Sequence, residues 1–178
     1  CRSEGWFYQT KNKPSVSERK IMAVQSWENF RKGEPIPVAQ LTKVLNYLKL
    51  RTPTSLEKID FDTLISYDTA KKHVPNLPNE YWYDVFTGVS VDERSYIRAM
   101  LRRGEKITKE PRIRLSTIHA AKGGEASNVI LLTDISSRVY KSFQNNPDDE
   151  SRVFYVGLTR AKENLYLIEP QTQKYFPL

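Results

Sequence analysis

Two stretches of this 178-residue chain carry side chains whose types and spacing suit chemistry on phosphate. The first is Thr117-Ile118-His119-Ala120-Ala121-Lys122-Gly123-Gly124-Glu125, which follows a strand-like segment. Paired glycines among small residues make a tight connection with exposed amides. With Lys and Glu beside them, they form a connection that phosphate or ribose can approach. The second runs from Glu150 to Lys162 and sets Arg152 and Arg160 eight positions apart. An unbroken helix would align these arginines over two turns, and a fixed guanidinium grips phosphate through two parallel hydrogen bonds. Taken singly, each stretch also reads as ordinary structure. The first is then a βα turn with a solvated Lys and Glu, the second an amphipathic helix with surface arginines.

The rest of the inventory contains no self-sufficient catalytic apparatus. There is no G-x-x-x-x-G-K-[ST] phosphate loop, no G-x-G-x-x-G dinucleotide turn and no G-x-S-x-G elbow. His73 and His119 are 46 positions apart without a second ligand in helical register, and Cys1 is the single cysteine. No metal site and no disulfide framework are therefore expected, and one cysteine suits a reducing compartment. No apolar run approaches the roughly 20 residues of a spanning helix, so no membrane role is expected. The chain begins with Cys1, and its methionines are Met22 and Met100, which is expected of a piece of a longer polypeptide.

Several elements must position the two stretches. Ser15-Val16-Ser17-Glu18 has capping-box spacing, and Ile21, Val24, Trp27 and Phe30 follow at helical intervals until Gly33. A second helix is expected from Pro37, with Val38, Leu41, Leu45 and Leu48 as its apolar stripe. Between Arg51 and Pro78 the prolines leave room for short helices around Leu56 and Leu64. Tyr81-Trp82-Tyr83 and Phe86 read as a helical face ending near Gly88. Ser90 can cap a helix through Ile97, Met100 and Leu101 that closes at Arg102-Arg103-Gly104. After Pro111 the texture changes. Ile113, Leu115 and Thr117 alternate like a strand, while Val129–Leu132 and Leu165–Ile168 are continuous apolar runs with a helix over 149–157 between them. Apolar strands buried on both faces and separated by helices predict an α/β layer with a parallel sheet.

The net charge of +7 favours polyanionic partners. Residues 1–111 hold 19 basic and 14 acidic side chains, whereas residues 112–178 hold 9 and 7, so the excess lies mainly in the helical part. Arg98, Arg102 and Arg103 read either as contacts to duplex phosphates or as a solvated helix end. Trp6, Phe7 and Tyr8 with Lys11 and Lys13 read either as a base-stacking platform or as core at a sheet edge. The Tyr81-Trp82-Tyr83 cluster reads as helix core, and His73 as a surface residue.

In this order, T-x-H-x-x-K-G-x-E and, about 30 residues later, E-x-R-x-x-Y-V-G-x-T-R-A resemble motifs V and VI of the UvrD, Rep and PcrA group of superfamily 1 DNA helicases. The resemblance is dense over 112–169 and thin elsewhere. It implies an α/β fold: a RecA-like parallel sheet with flanking helices, the second motor domain, formed by 1–34 and 111–178 and carrying a mainly helical insertion over 35–110. In that family two RecA-like domains clasp ATP with Mg at their interface while single-stranded DNA crosses both. The phosphate loop and the Mg ligands belong to the N-terminal motor domain, outside this chain.

Carried over by position, Arg160 matches the motif VI arginine that reaches the γ-phosphate, and Glu125 the motif V acid on the ribose. Gly123 is placed with them in the nucleotide pocket. Thr117 and His119 match positions on the DNA backbone, and Lys122 is placed with them on the DNA track. Lys122, Gly123, Tyr155 and Thr159 also shape the two loops. Gly124 replaces a bulky apolar residue and Ala126 an aromatic, departures expected to loosen packing under the first loop.

The implied function is the C-terminal motor fragment of an ATP-dependent DNA helicase. Such an enzyme translocates 3′ to 5′ on single strands and unwinds duplex DNA in a bacterial or phage-infected cytoplasm. The fragment alone is expected to be inactive as an ATP hydrolase. Two alternatives stand beside this reading: an ATP-independent nucleic-acid-binding or regulatory module of helicase-like fold, and the helicase half of a helicase–nuclease subunit.

Overall fold

The computed structural model describes residues 1–11, 13–105 and 110–177. It divides into two compact units, Cys1–Arg114 and Leu115–Leu178. In chain order the elements of the first are strands β1 (Tyr8–Thr10) and β2 (Lys13–Pro14), helix α1 (Glu18–Arg31), strand β3 (Ile36–Pro37), helices α2 (Val38–Tyr47) and α3 (Thr54–Glu57), strand β4 (Leu64–Ile65), and helices α4 (Tyr67–His73), α5 (Trp82–Val85) and α6 (Val91–Arg102). Strand β5 (Ile113–Leu115) straddles the division and belongs to a small sheet of order β2-β1-β5. Among the described residues, no helix is long and apolar enough to cross a membrane.

The first unit is mainly helical, as its periodicity predicts. Ile21, Val24, Trp27 and Phe30 of α1 and Val38, Leu41 and Leu45 of α2 are all buried, with Trp82, Phe86, Tyr96 and Met100 around them. The first amides of α2 are satisfied by the carbonyls of Thr63 and Phe61. Pro37 is therefore its N-cap, one residue before the helix proper.

Local chemistry corrects three readings. Ser15 does not cap α1: the N-cap is Ser17, with no side-chain cap bond. Ser15 Oγ instead accepts from the Tyr8 amide at 3.3 Å and lies 2.6 Å from the Tyr96 hydroxyl, a tertiary use that overrides the local box. Leu64 sits in β4, paired antiparallel with β3, and not in a helix. The Tyr81–Phe86 helix is a single turn. Its Trp82 is buried while Tyr81 is exposed. His73, read as a surface residue, has its Nδ1 3.0 Å from Ser55 Oγ. The cluster at the start of the chain is packed and not offered to bases: Phe7 is buried, and the Arg103 guanidinium covers the Trp6 ring at 3.5 Å.

The second unit contains a 3-10 turn (His119–Ala121), strand β6 (Ala126–Leu132), helices α7 (Ser137–Asn145) and α8 (Pro147–Leu158), and strand β7 (Ala161–Ile168). Strands β6 and β7 are parallel, with Val129 opposite Leu165 and Leu132 opposite Ile168, joined through α7 and α8. The core comprises Leu131, Phe154 and Phe176, and the Phe154 and Phe176 rings stack at 4.0 Å.

Burial of both sheet faces is not what the second unit displays. Leu131 is buried, whereas Ile130 and Leu132 on the opposite face of β6, and Leu165, Tyr166, Leu167 and Ile168 on both faces of β7, are exposed. Among the described residues this sheet is two strands wide, too narrow to bury its strands on both faces. The fold is mixed α/β with small sheets.

Candidate functional site

The first chemical stretch is built as a pair of turns. Thr117, expected within the strand, lies just beyond β5, which ends at Leu115, and its hydroxyl accepts the Ala120 amide at 3.3 Å. That bond starts the 3-10 turn, which leaves His119 exposed. The chain then reverses over Ala121–Gly124. Lys122 has φ −56° and ψ 129°, Gly123 has φ +82°, and the Gly124 amide donates to the Ala121 carbonyl at 3.0 Å. These are the features of a type II turn, whose third residue needs a positive φ, so glycine at 123 is a backbone requirement. At Gly124 an added Cβ would meet only the Ala121 carbonyl oxygen, at 3.4 Å. A side chain there is sterically permitted.

The second stretch does not form the unbroken helix that would align its arginines. Helix α8 starts at Pro147 with three acids in its first turn, which favours the positive end of its dipole, and it stops at Leu158. Arg152 stays on the exposed helix surface, 3.5 Å from Asp149. Arg160 lies beyond the C-cap Thr159. There its Nε donates to the Val156 carbonyl at 2.9 Å and its Nη2 to Thr159 Oγ1 at 3.0 Å, so the cation closes the electronegative end of α8.

Arg160 also joins the two stretches. Its Nη1 donates to the Gly124 carbonyl at 3.3 Å, and its main-chain carbonyl accepts the Ala126 amide at 3.0 Å. The guanidinium is half-buried and is not ion-paired to any carboxylate among the described residues. Three of its N–H groups are engaged and two remain to take an anion. Gly157 holds the stretches together from beneath. It is buried, and a Cβ there would come within 3.2 Å of Leu131 and 3.4 Å of Ile118.

Glu125 is brought beside Arg160 by the β6–β7 register and lies 3.1 Å from Lys162 Nζ, both side chains being more than half exposed. Lys162 is the member of the cluster that residue reading missed as a partner. Its signal was the parallel pairing of Ala126 with Ala161, which no motif spacing reveals. Arg160 and Lys162 thus both lie at the Glu125 end of the sheet. Among the described residues no group of three or more His, Cys, Asp or Glu side chains could hold a metal ion.

Comparison with known proteins bears on this geometry. Residues 91–172 match the UvrD-like helicase C-terminal domain. The probable DNA helicase II homolog of Mycoplasma capricolum is 29% identical over 128 residues, covering 68% of this chain and 17% of that protein. The ATP-dependent DNA helicase Rep of Buchnera aphidicola is 29% identical over 90 residues, 48% of this chain and 14% of that protein. The ATP-dependent DNA helicase srs2 of Schizosaccharomyces pombe is 36% identical over 69 residues, 39% of this chain and 8% of that protein. The chain thus spans less than a fifth of the length of these relatives. No solved structure matches it.

Proposed function

We propose, from the match of residues 91–172 to the UvrD-like helicase C-terminal domain, that the chain is part of the C-terminal motor half of an ATP-dependent DNA helicase moving 3′ to 5′ on single strands. Residues 1–34 and 111–178 contribute to a second RecA-like domain, with β6 and β7 as two strands of its parallel sheet, and residues 35–110 form an insertion. The partner across the cleft is an N-terminal RecA-like domain that carries the phosphate loop and the Mg ligands.

The observation that carries this reading is the position of Arg160, tied at once to Gly124 in the first stretch and to Val156 and Thr159 in the second. Bound ATP with Mg would supply a transferable γ-phosphoryl group at this edge. The residues present fit it: a half-buried guanidinium without a carboxylate partner, a carboxylate beside it, and a glycine turn. Arg160 directs its remaining N–H groups at the phosphate and neutralises charge on its oxygens, the task of an arginine finger. Glu125 accepts from a ribose hydroxyl, exchanging its exposed pair with Lys162, which is worth about 1 kcal/mol or less. Gly123 keeps the turn low enough for the nucleotide to approach. Thr117, His119 and Lys122, exposed on the same connection, face the DNA backbone. Nucleotide grip and DNA grip thus share one short loop, which is how closure on ATP is converted into movement along a strand.

The test is Arg160→Ala in the full-length protein, with the fold of the second unit checked by circular dichroism. ATP hydrolysis should fall on the order of 10³-fold, with single-strand affinity within about twofold of wild type. Unchanged turnover removes Arg160 from the mechanism and leaves a binding module that does not couple to ATP.

A further inference from the structure

The first unit holds a charged feature that the nucleotide site does not use. Arg94, Arg98 and Arg102 stand at i, i+4 and i+8 along α6, one helical face with a cation about every 6 Å. Arg103 follows at the helix end. None of the four is within ion-pair distance of a carboxylate among the described residues. The nearest acids in sequence do not pair with them: Glu93 is taken by Lys20 at 2.7 Å, Glu105 by Arg112 at 3.0 Å, and Asp84 and Asp92 are exposed.

Aromatic rings hold the guanidinium groups flat. Arg98 lies over Tyr83 at 3.9 Å and Arg103 over Trp6 at 3.5 Å, while Arg94 donates to the Tyr83 carbonyl. Stacking occupies the face of a guanidinium and leaves its edge for hydrogen bonds; Arg103 spends one N–H on the Glu4 carbonyl at 3.2 Å and keeps the others for phosphate. Arg102 has no aromatic partner and no hydrogen bond among the described residues, and it is exposed, so packing does not account for it. The helix dipole favours one cation in the last turn but does not account for a row of them.

We propose that this arginine ridge on α6 is a second nucleic-acid contact, which holds the phosphodiester backbone of a DNA strand without reading its bases. The rings that would stack bases, Trp6 and Tyr83, are already covered by arginine. Binding here is therefore electrostatic, sequence-independent and steeply salt-dependent. The inference uses only the first unit and does not depend on Arg160 or on the nucleotide site.

The measurement is the slope of log affinity against log salt for this chain and a fluorescent 20-nucleotide thymidine strand. Replacing Arg98, Arg102 and Arg103 with Gln should lower the magnitude of the slope by about 2, since each single-strand phosphate contact contributes about 0.7. Exposed Arg102→Gln alone should lower it by about 0.7 with thermal unfolding unchanged, which separates lost contact from lost fold. Unchanged slopes in both variants, or no salt-dependent binding by the parent chain, overturn the ridge. Lys122→Gln is measured in parallel. A slope lowered there alone supports the DNA track near the nucleotide site and sinks the ridge; a slope lowered in the arginine variants alone supports the ridge and counts against the role given to Lys122.

Discussion

Gly5 and Asp134 are two residues whose surroundings outweigh their own chemistry. Gly5 has φ +66°, and a Cβ built on it would lie 2.5 Å from the main-chain carbon of Ala99, where the start of the chain crosses α6. Gly5→Ala should destabilise the first unit by about 2 kcal/mol or more, combining a left-handed backbone penalty with a backbone clash. Denaturant unfolding followed by tryptophan fluorescence reads it, and a midpoint equal to wild type would contradict the close approach. Asp134 accepts the Gln171 amide and both the hydroxyl and the amide of Thr172 at 2.7 to 2.8 Å. These bonds favour its ionised form and hold its carboxyl below the ordinary value of 3.8. A lowered native value means that this contribution is complete above 3.8 and disappears as pH falls through the lower native value. Acid unfolding of the second unit, followed by circular dichroism, should therefore show a loss below that point that Asp134→Asn lacks. An identical acid limb in both proteins would exclude the carboxylate as its source.

Among the elements, α6 shows most directly how local signals survive into the fold. Ser90 Oγ accepts the Glu93 amide at 3.3 Å, Asp92 and Glu93 occupy the first turn, and Tyr96, Ile97 and Met100 form its buried face. Ser90→Ala should remove about 1 kcal/mol, measured as a shift in denaturant midpoint at constant slope; a change below about 0.2 kcal/mol would mean that the cap is idle. Ser15 carried an equally good local signal in α1 and was diverted. A hydroxyl between the Tyr8 amide and the Tyr96 hydroxyl satisfies a sheet edge and a buried phenol together, a demand set by residues 81 positions away.

The two units have separate cores, a large one built on α1, α2 and α6 and a small one built on Leu131, Phe154 and Phe176. All three tryptophans, Trp6, Trp27 and Trp82, lie in the first unit. Phe154→Ala should cost the second unit about 3 kcal/mol and lower its transition in circular dichroism, while the transition in tryptophan fluorescence stays in place. A coincident shift of both signals would show that the two cores melt as one.

At this scale the limits of sequence reading are also clearest. The helical stripes of α1 and α2, the βαβ order and the two chemical stretches were legible in the residues, because periodicity and turn chemistry are local properties. The length of the α8 helix, the exposed face of Ile130, Leu132, Tyr166 and Ile168, and the pairing of Glu125 with Lys162 were not legible. Each depends on what lies across a sheet or beyond a helix end.

The sequence by itself determined the inward stripes of α1 and α2 and a tight glycine connection at Gly123 and Gly124. It also marked Lys122, Glu125 and Arg160 as candidates for chemistry on phosphate. Tertiary structure alone decided that Arg160 leaves the helix and bridges Val156 to Gly124, because that bridge is set by parallel strand register between segments 36 residues apart. It likewise decided that the arginines of α6 stack on Tyr83 and Trp6 and that no carboxylate among the described residues pairs with them, since stacking and pairing are properties of neighbours in space and not of neighbours in the chain.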